Sequence, residues 1–277
     1  MANNYDKEAF KAMKEKERNE VKNKLNVVTE RVMSDVDAYT DYLKVQSHFN
    51  LYSVSNALLI MEQNKDAMQL KSFDDWKAKD VKINKGEHGI SLIIPTPFTD
   101  KEGNERVSYN IKKVFDRSQT NATPYMAGSK AESPKKLLVA LVKNPPYPVE
   151  PVEAIDETTS ALFSKDNEKI FVKRGLPLEE FFESVTHEIA HASFSKNNDN
   201  YNREAYEDKA RAVTYLLGEK YGIEVKKPET VPKAWEKLES KEVRDDLSGV
   251  REVYNKMNDE IYASLEKLKA KEDRGER

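Results

Sequence analysis

Residues 181–194 read Phe-Phe-Glu-Ser-Val-Thr-His-Glu-Ile-Ala-His-Ala-Ser-Phe, and the histidines at 187 and 191 stand four positions apart. On a helix that spacing puts both imidazoles on one face, within reach of a single ion. Glu188 follows the first histidine, so it lies beside such an ion and is placed to take a proton from a water molecule activated there. Two imidazoles, one carboxylate and an open position form a recognised arrangement for catalytic zinc. The chain has only four histidines, and two of them are here. The apolar neighbours of this pair predict a buried helix, where unpartnered imidazoles would be costly to desolvate. The competing reading is a pair of satisfied core or surface histidines.

A third ligand has to come from the acids that follow. Beyond a polar loop, Ser-Lys-Asn-Asn-Asp-Asn-Tyr-Asn-Arg-Glu over 195–204, a helix is predicted from Arg203 to Tyr221, stopped by Gly222. Glu204 and Glu207 lie three apart on one face of it, and spacing alone does not separate them. Glu207 is favoured because Ala210, Val213, Tyr215 and Leu217 follow it as an apolar set. Glu204 is then left to cap the helix or to hold an imidazole. Tyr201, Tyr206 and Tyr215 read as packing residues rather than as donors to a developing oxyanion.

Working outward, the 277 residues are 34% charged and 38% hydrophobic, with a net charge of −3 and no cysteine. Disulfides and thiolate metal ligands are therefore excluded. No run of 18 apolar residues offers a membrane span, and the opening residues lack the apolar core of a secretory signal. Cytoplasmic residence without membrane association is the expectation. The small net charge argues against bulk electrostatic coating of nucleic acid, but it averages two opposite regions. Residues 101–145 carry nine Lys/Arg against four Asp/Glu, whereas residues 146–200 carry five against eleven.

The first forty-odd residues predict one charged helix striped by Phe10, Met13, Val21, Leu25, Val28 and Val32. Another helix is predicted near 53–62 and a helical turn at 74–76. A turn at 84–89 leads into a strand at 90–95 that Pro95 should end, and a second strand is expected over 107–115. Loop-like composition from Asn121 to Pro134, an apolar run at 137–142 and a Pro-rich piece at 144–153 place a domain boundary near residue 145. A strand at 168–174 precedes the histidine helix. The tail beyond Lys233 predicts a charged helix with Val250, Val253, Tyr254, Met257, Ile261 and Leu265 as its apolar stripe. In the first half Lys82, Lys85, Tyr109, Lys112, Lys113 and Arg117 could pair cations with an exposed ring, the economy of single-strand binding. Against this, Val107, Tyr109 and Ile111 could pack inward, and Trp76 reads as core.

The segment His-Glu-Ile-Ala-His-Ala-Ser-Phe at 187–194, followed by Tyr-Glu-Asp-Lys-Ala-Arg-Ala from Tyr206, resembles the zincin-like peptidase domain of ArdC-type antirestriction proteins and, more distantly, of ImmA/IrrE-type proteases. In those families the acid of an E-x-x-A pattern is the third ligand, which here is Glu207. Residues 52–60, 72–95 and 112–120 resemble the N-terminal single-stranded-DNA-binding domain of the same ArdC family, with Asn56, Trp76, Lys85-Gly86-Glu87, Gly89, Val114-Phe115-Asp116 and Gln119-Thr120 matching. The resemblance covers roughly residues 15–225.

It implies an α+β chain of two domains: a mixed α/β single-stranded-DNA-binding domain over 1–145, and a mainly helical zincin-like metallopeptidase domain over 146–277 with a helical extension. It also implies single-stranded DNA as partner, Zn2+ as cofactor, and service to a mobile element such as a plasmid, with a host protein as the candidate substrate. Two other functions are compatible with the residues. One is a metalloprotease whose N-terminal half recognises protein. The other is a non-enzymatic DNA-protection protein with structural zinc.

Overall fold

Asp35 divides the charged opening stretch. Helix α1 (Lys7–Ser34) stops there, and α2 (Val36–His48) starts behind it, with the Asp35 carboxylate accepting from the backbone N–H of Asp37 and Ala38. An extended N-cap residue breaks the helical path while satisfying the first donors of the next helix, so one expected helix becomes two. The computed structural model describes residues 7–123 and 133–275, and the loop expected over 121–134 falls mostly outside them.

Helix α3 (Val54–Asn64), strand β1 (Leu70–Lys71) and helix α4 (Phe73–Lys77) precede a long hairpin of β2 (Ile90–Thr99) and β3 (Glu105–Asp116). The sheet order is β1-β3-β2, antiparallel, with Ile90 opposite Val114 and Thr99 opposite Glu105. Pro95 does not end β2. The outward edge of this strand is held by side-chain amides from α3: Asn56 pairs with the N–H and C=O of Ile93, and Gln63 with those of Ser91. Residues 95 and 97 share that outward parity. Prolines there remove no ladder hydrogen bond and leave the free edge without donors where it runs past the first turn of α3.

The base of the hairpin is locked by Asp116. This buried carboxylate accepts from the backbone N–H of Met68, Gln69 and Ser118 at 2.7, 2.7 and 2.8 Å. Burial alone would raise its pKa. The hydrogen bonds, that from Gln69 first, outweigh burial and hold it below the ordinary carboxylate range. Asp116→Ala strands these donors and is expected to cost on the order of 3 kcal/mol in chemical denaturation. Because the folded-state pKa is lowered, the carboxylate's contribution is full above the unfolded value of about 4 and fades as pH falls through the folded one. Asp116→Asn should therefore flatten the acid limb of the stability profile. An unchanged limb would contradict the assignment.

The second half begins with α5 (Pro134–Leu141) and strands β4 (Val149–Val152), β5 (Ala161–Ser164) and β6 (Lys169–Lys173), in the order β4-β6-β5. Strand β4 pairs parallel and β5 antiparallel to β6. Helices α6 (Leu178–Ser195), α7 (Arg203–Tyr221) and α8 (Ser240–Asp273) complete the architecture, which is mixed α and β with two small sheets. Buried side chains from both sides of residue 145 form one contiguous core. Along α8, Tyr254 Oη donates to Ser47 O at 2.8 Å, and Arg244 reaches Thr29 Oγ1 at 3.1 Å.

Candidate metal centre

Helix α6 follows Pro177 and places Glu179 and Glu180 in its first turn, where acids complement the helix dipole. Phe182, Val185 and Ile189 are buried and anchor its inner face, and His187 and His191 project from that anchored cylinder. Helix α7 is capped by Asn202, whose Oδ1 accepts from Ala205 N, and ended by Gly222 at φ +68°, a conformation that favours glycine. It brings Glu207 back against the two imidazoles.

The three donor atoms form a small triangle. His191 Nε2 lies 3.1 Å from His187 Nε2 and 3.1 Å from Glu207 Oε2, and His187 Nε2 lies 3.4 Å from the same oxygen. Tetrahedral donors about 2.0–2.1 Å from one ion are roughly 3.3 Å apart, so the set fits a divalent metal. His191 is fully buried, while His187 and Glu207 are half-buried at the rim of a polar cleft of about 600 Å³. Burial pushes the His191 pKa down, and hydrogen bonds from His187 and then His191 hold Glu207 far below the usual carboxylate range. A neutral imidazole and an ionised carboxylate are the forms that leave lone pairs for a cation. Glu204 is exposed and outside the triangle.

Two residues absent from the sequence-based site complete it. Tyr201 Oη is 3.0 Å from His191 Nδ1. Were Nε2 to ligate an ion, Nδ1 would carry the proton and donate to the phenol oxygen, which would fix tautomer and ring orientation. Burial raises the Tyr201 pKa to about 12, so it stays a phenol. Arg203 forks the neighbouring carboxylate: Nη2 donates to Glu188 Oε1 at 2.6 Å and Nη1 to Oε2 at 2.8 Å. The backbone N–H of Phe163, on β5, adds a third bond to Oε2 at 2.6 Å. Glu188 is thus buried and oriented by two partners, on the lining it shares with His187 and Glu207. Tyr201 and Arg203 sit in the loop and first turn between the helices. Only the fold-back of α7 brings them to the histidines, so no periodicity marked them.

The six residues read as DNA contacts are spread along the hairpin. Tyr109 is 59% exposed and faces Pro95, five positions from Val114 and so about 17 Å along the strand. Lys112 and Lys113 are strand neighbours and point to opposite faces, Lys113 Nζ donating to Ser91 Oγ at 2.7 Å. Gly89, just before β2, leaves room for the Phe115 ring, since an added Cβ would lie 3.0 Å from that ring and 3.1 Å from Lys113 Cβ. Lys82 and Lys85 are exposed near the turn at the hairpin base. The guanidinium of Arg117 is engaged by Thr123 O at 2.6 Å and Gln69 Oε1 at 3.0 Å, tying down the local chain. Val107 is exposed as well. Trp76 is core, its Nε1 donating to Phe115 O.

Comparison with known proteins places this geometry in context. Residues 11–132 match the family described as the N-terminal domain of the anti-restriction factor ArdC. No curated protein sequence matches the chain. Two crystal structures of the antirestriction ArdC protein from the R388 plasmid are similar to it. The metal-free one has a TM-score of 0.48 at 15% identity, covering 91% of this chain and 98% of that one. The Mn(II)-bound one has a TM-score of 0.50 at 14% identity, covering 81% and 97%. At these identities the second likeness shows a shared fold. Residues 11–132 belong to the family of the N-terminal domain of the anti-restriction factor ArdC, and the chain shares the fold of the R388 plasmid's ArdC protein.

Proposed function

We propose that this protein serves a mobile element in the cytoplasm, binding single-stranded DNA through its N-terminal half and hydrolysing a peptide bond of a host protein at a zinc centre in its C-terminal half. The observation that carries the enzymatic part is the triangle of His187, His191 and Glu207 with Glu188 fixed beside it. A bound ion would supply Lewis acidity toward a carbonyl and toward water. Glu188 would accept the proton, oriented by Arg203 and the Phe163 N–H, the arrangement of a base steered by a third group. His191 would be held in its ligating tautomer by Tyr201. The Mn(II)-bound ArdC structure supports a divalent ion in this fold, and the donor set suits several first-row metals, with zinc chosen for its partnership with the HExxH pattern. Glu188→Gln is expected to keep the metal and the fold while lowering peptide hydrolysis by about 10²–10⁴. Hydrolysis undiminished in that variant would contradict the peptidase function.

The DNA-binding part rests on Tyr109, an exposed ring on a projecting hairpin with lysines at its base. Stacking contributes about 1–3 kcal/mol per base, so Tyr109→Ala should weaken single-stranded oligonucleotide binding about tenfold without touching the phosphate contacts. Fluorescence anisotropy should show salt-sensitive binding of single-stranded but not double-stranded oligonucleotide. Equal affinity for both would contradict it. Among the described residues no helix is long and apolar enough to cross a membrane. A second reading has its own observation: both Glu188 oxygens are already occupied by Arg203. In that case the metal would fix the fold of a DNA-protection protein with no hydrolysis, and Glu188→Gln would change nothing measurable but stability.

A further inference from the structure

The cleft beside the donor triangle has two walls of opposite charge. Glu183 and Glu180 stand one and two turns before His187 on α6 and line one wall, with Glu180 Oε1 accepting from Ser160 Oγ at 2.6 Å. Arg211, one turn past Glu207 on α7, lines the other wall with Lys226 and Lys227. Because α6 and α7 fold back on each other through residues 196–202, these groups lie on the same side of the triangle and face one another. Arg211 is oriented along its wall by the bond from its Nε to Glu207 Oε1 at 2.9 Å. Among the described residues Ala161 and Pro228 are the only apolar ones of the lining, so a bulky hydrophobic side chain would lie mainly against the aliphatic stems of charged and polar residues.

An extended peptide presents successive side chains to opposite sides. One charge placed on each wall would be paired, whereas two like charges, or an apolar pair, would desolvate one wall without compensation. A polyanion fits poorly, since the acidic wall and the carboxylates of Glu188 and Glu207 oppose its phosphates. Resting on the peptidase reading above, we propose that the cleft selects peptide segments in which a basic and an acidic residue are neighbours, the basic side chain against α6 and the acidic one against Arg211, Lys226 and Lys227.

The test uses the full chain and fluorescein-labelled alanine-based octapeptides with a central Lys-Glu, Lys-Lys, Glu-Glu or Leu-Phe pair. Anisotropy with metal-free protein reads binding apart from catalysis. Lys-Glu is expected to bind at least about tenfold tighter than the other three, with the advantage shrinking in high salt. Glu183→Lys should shift preference toward Glu-Glu, and the double variant Lys226→Glu/Lys227→Glu toward Lys-Lys. Equal binding of all four, tightest binding of Leu-Phe, or no binding to folded protein would overturn the inference. Displacement of the peptide by oligothymidine, lost in the double lysine variant, would overturn it as well. Cleavage assays on zinc-loaded protein separate the two levels. Charge-selective binding without cleavage supports the cleft assignment and removes the peptidase reading, and cleavage blind to charge does the reverse.

Discussion

Arg203→Ala should lower the stability of the metal-free protein by about 2–3 kcal/mol, while Glu188→Gln should lower it by less than about 1 kcal/mol. The asymmetry follows from which charge is left behind. Glu188 is buried to 3% exposure and accepts three hydrogen bonds, two of them from Arg203. Removing the guanidinium leaves an anion out of water with the Phe163 N–H as its remaining partner. A fully buried pair broken in this way costs about 3–5 kcal/mol, and the figure here is smaller because the Arg203 side chain is 41% exposed and water can partly replace it. Glutamine keeps the shape and, with its oxygen in the place of Oε2, can still accept from Phe163 N–H and Arg203 Nη1. Its NH2 would face Nη2, but the charge is gone and the partly exposed guanidinium can turn to solvent. Urea denaturation checks both variants. Arg203→Ala within 0.5 kcal/mol of wild type would mean that Glu188 is not held as described.

The second large effect is expected from Trp235→Ala, at about 3–5 kcal/mol. Trp235 lies in the short helical turn over 233–237, is 2% exposed, and meets Tyr39 of α2 edge-on with ring centroids 5.2 Å apart. Its Nε1 donates to Asp246 of α8 at 2.9 Å, and Asp246 is also paired with Lys209 of α7. Trp235 thus ties α2 to α8, and through Asp246 to α7. Because they share a core, the variant should still unfold in a single transition, read alike by hairpin and α6 fluorescence labels. Two separate transitions would show that the halves are held together by less than this contact pattern implies.

The histidine helix was legible because its signal is local: His187 and His191 sit at helical spacing within an apolar segment, and a capped helix with acids follows. The donor triangle was only half legible, since Glu204 and Glu207 share a face and the fold-back of α7 decides which one meets the imidazoles. Arg203 and Tyr201 act through tertiary approach to residues 15 and 10 positions away, so nothing in local periodicity flagged them. Strands β4 and β5 escaped because each has only four residues and β4 contains Pro151, which an edge strand tolerates. Pro95 misled for a related reason. Whether proline ends a strand depends on which edge its missing N–H faces, and α3 determines that edge. The single helix read across residues 34–36 failed on Asp35, whose capping role competes with an otherwise continuous stripe.

The central claim is that His187, His191 and Glu207 hold one metal ion, and elemental analysis of full-length protein purified without added metal or affinity tag tests it most directly. About one divalent ion per chain is expected in wild type and in Glu204→Ala, and well under a tenth of that in Glu207→Ala, with zinc the prevailing element. Equal metal in wild type and Glu207→Ala, loss in Glu204→Ala instead, or no metal in folded wild type even after zinc is supplied would contradict the centre described here.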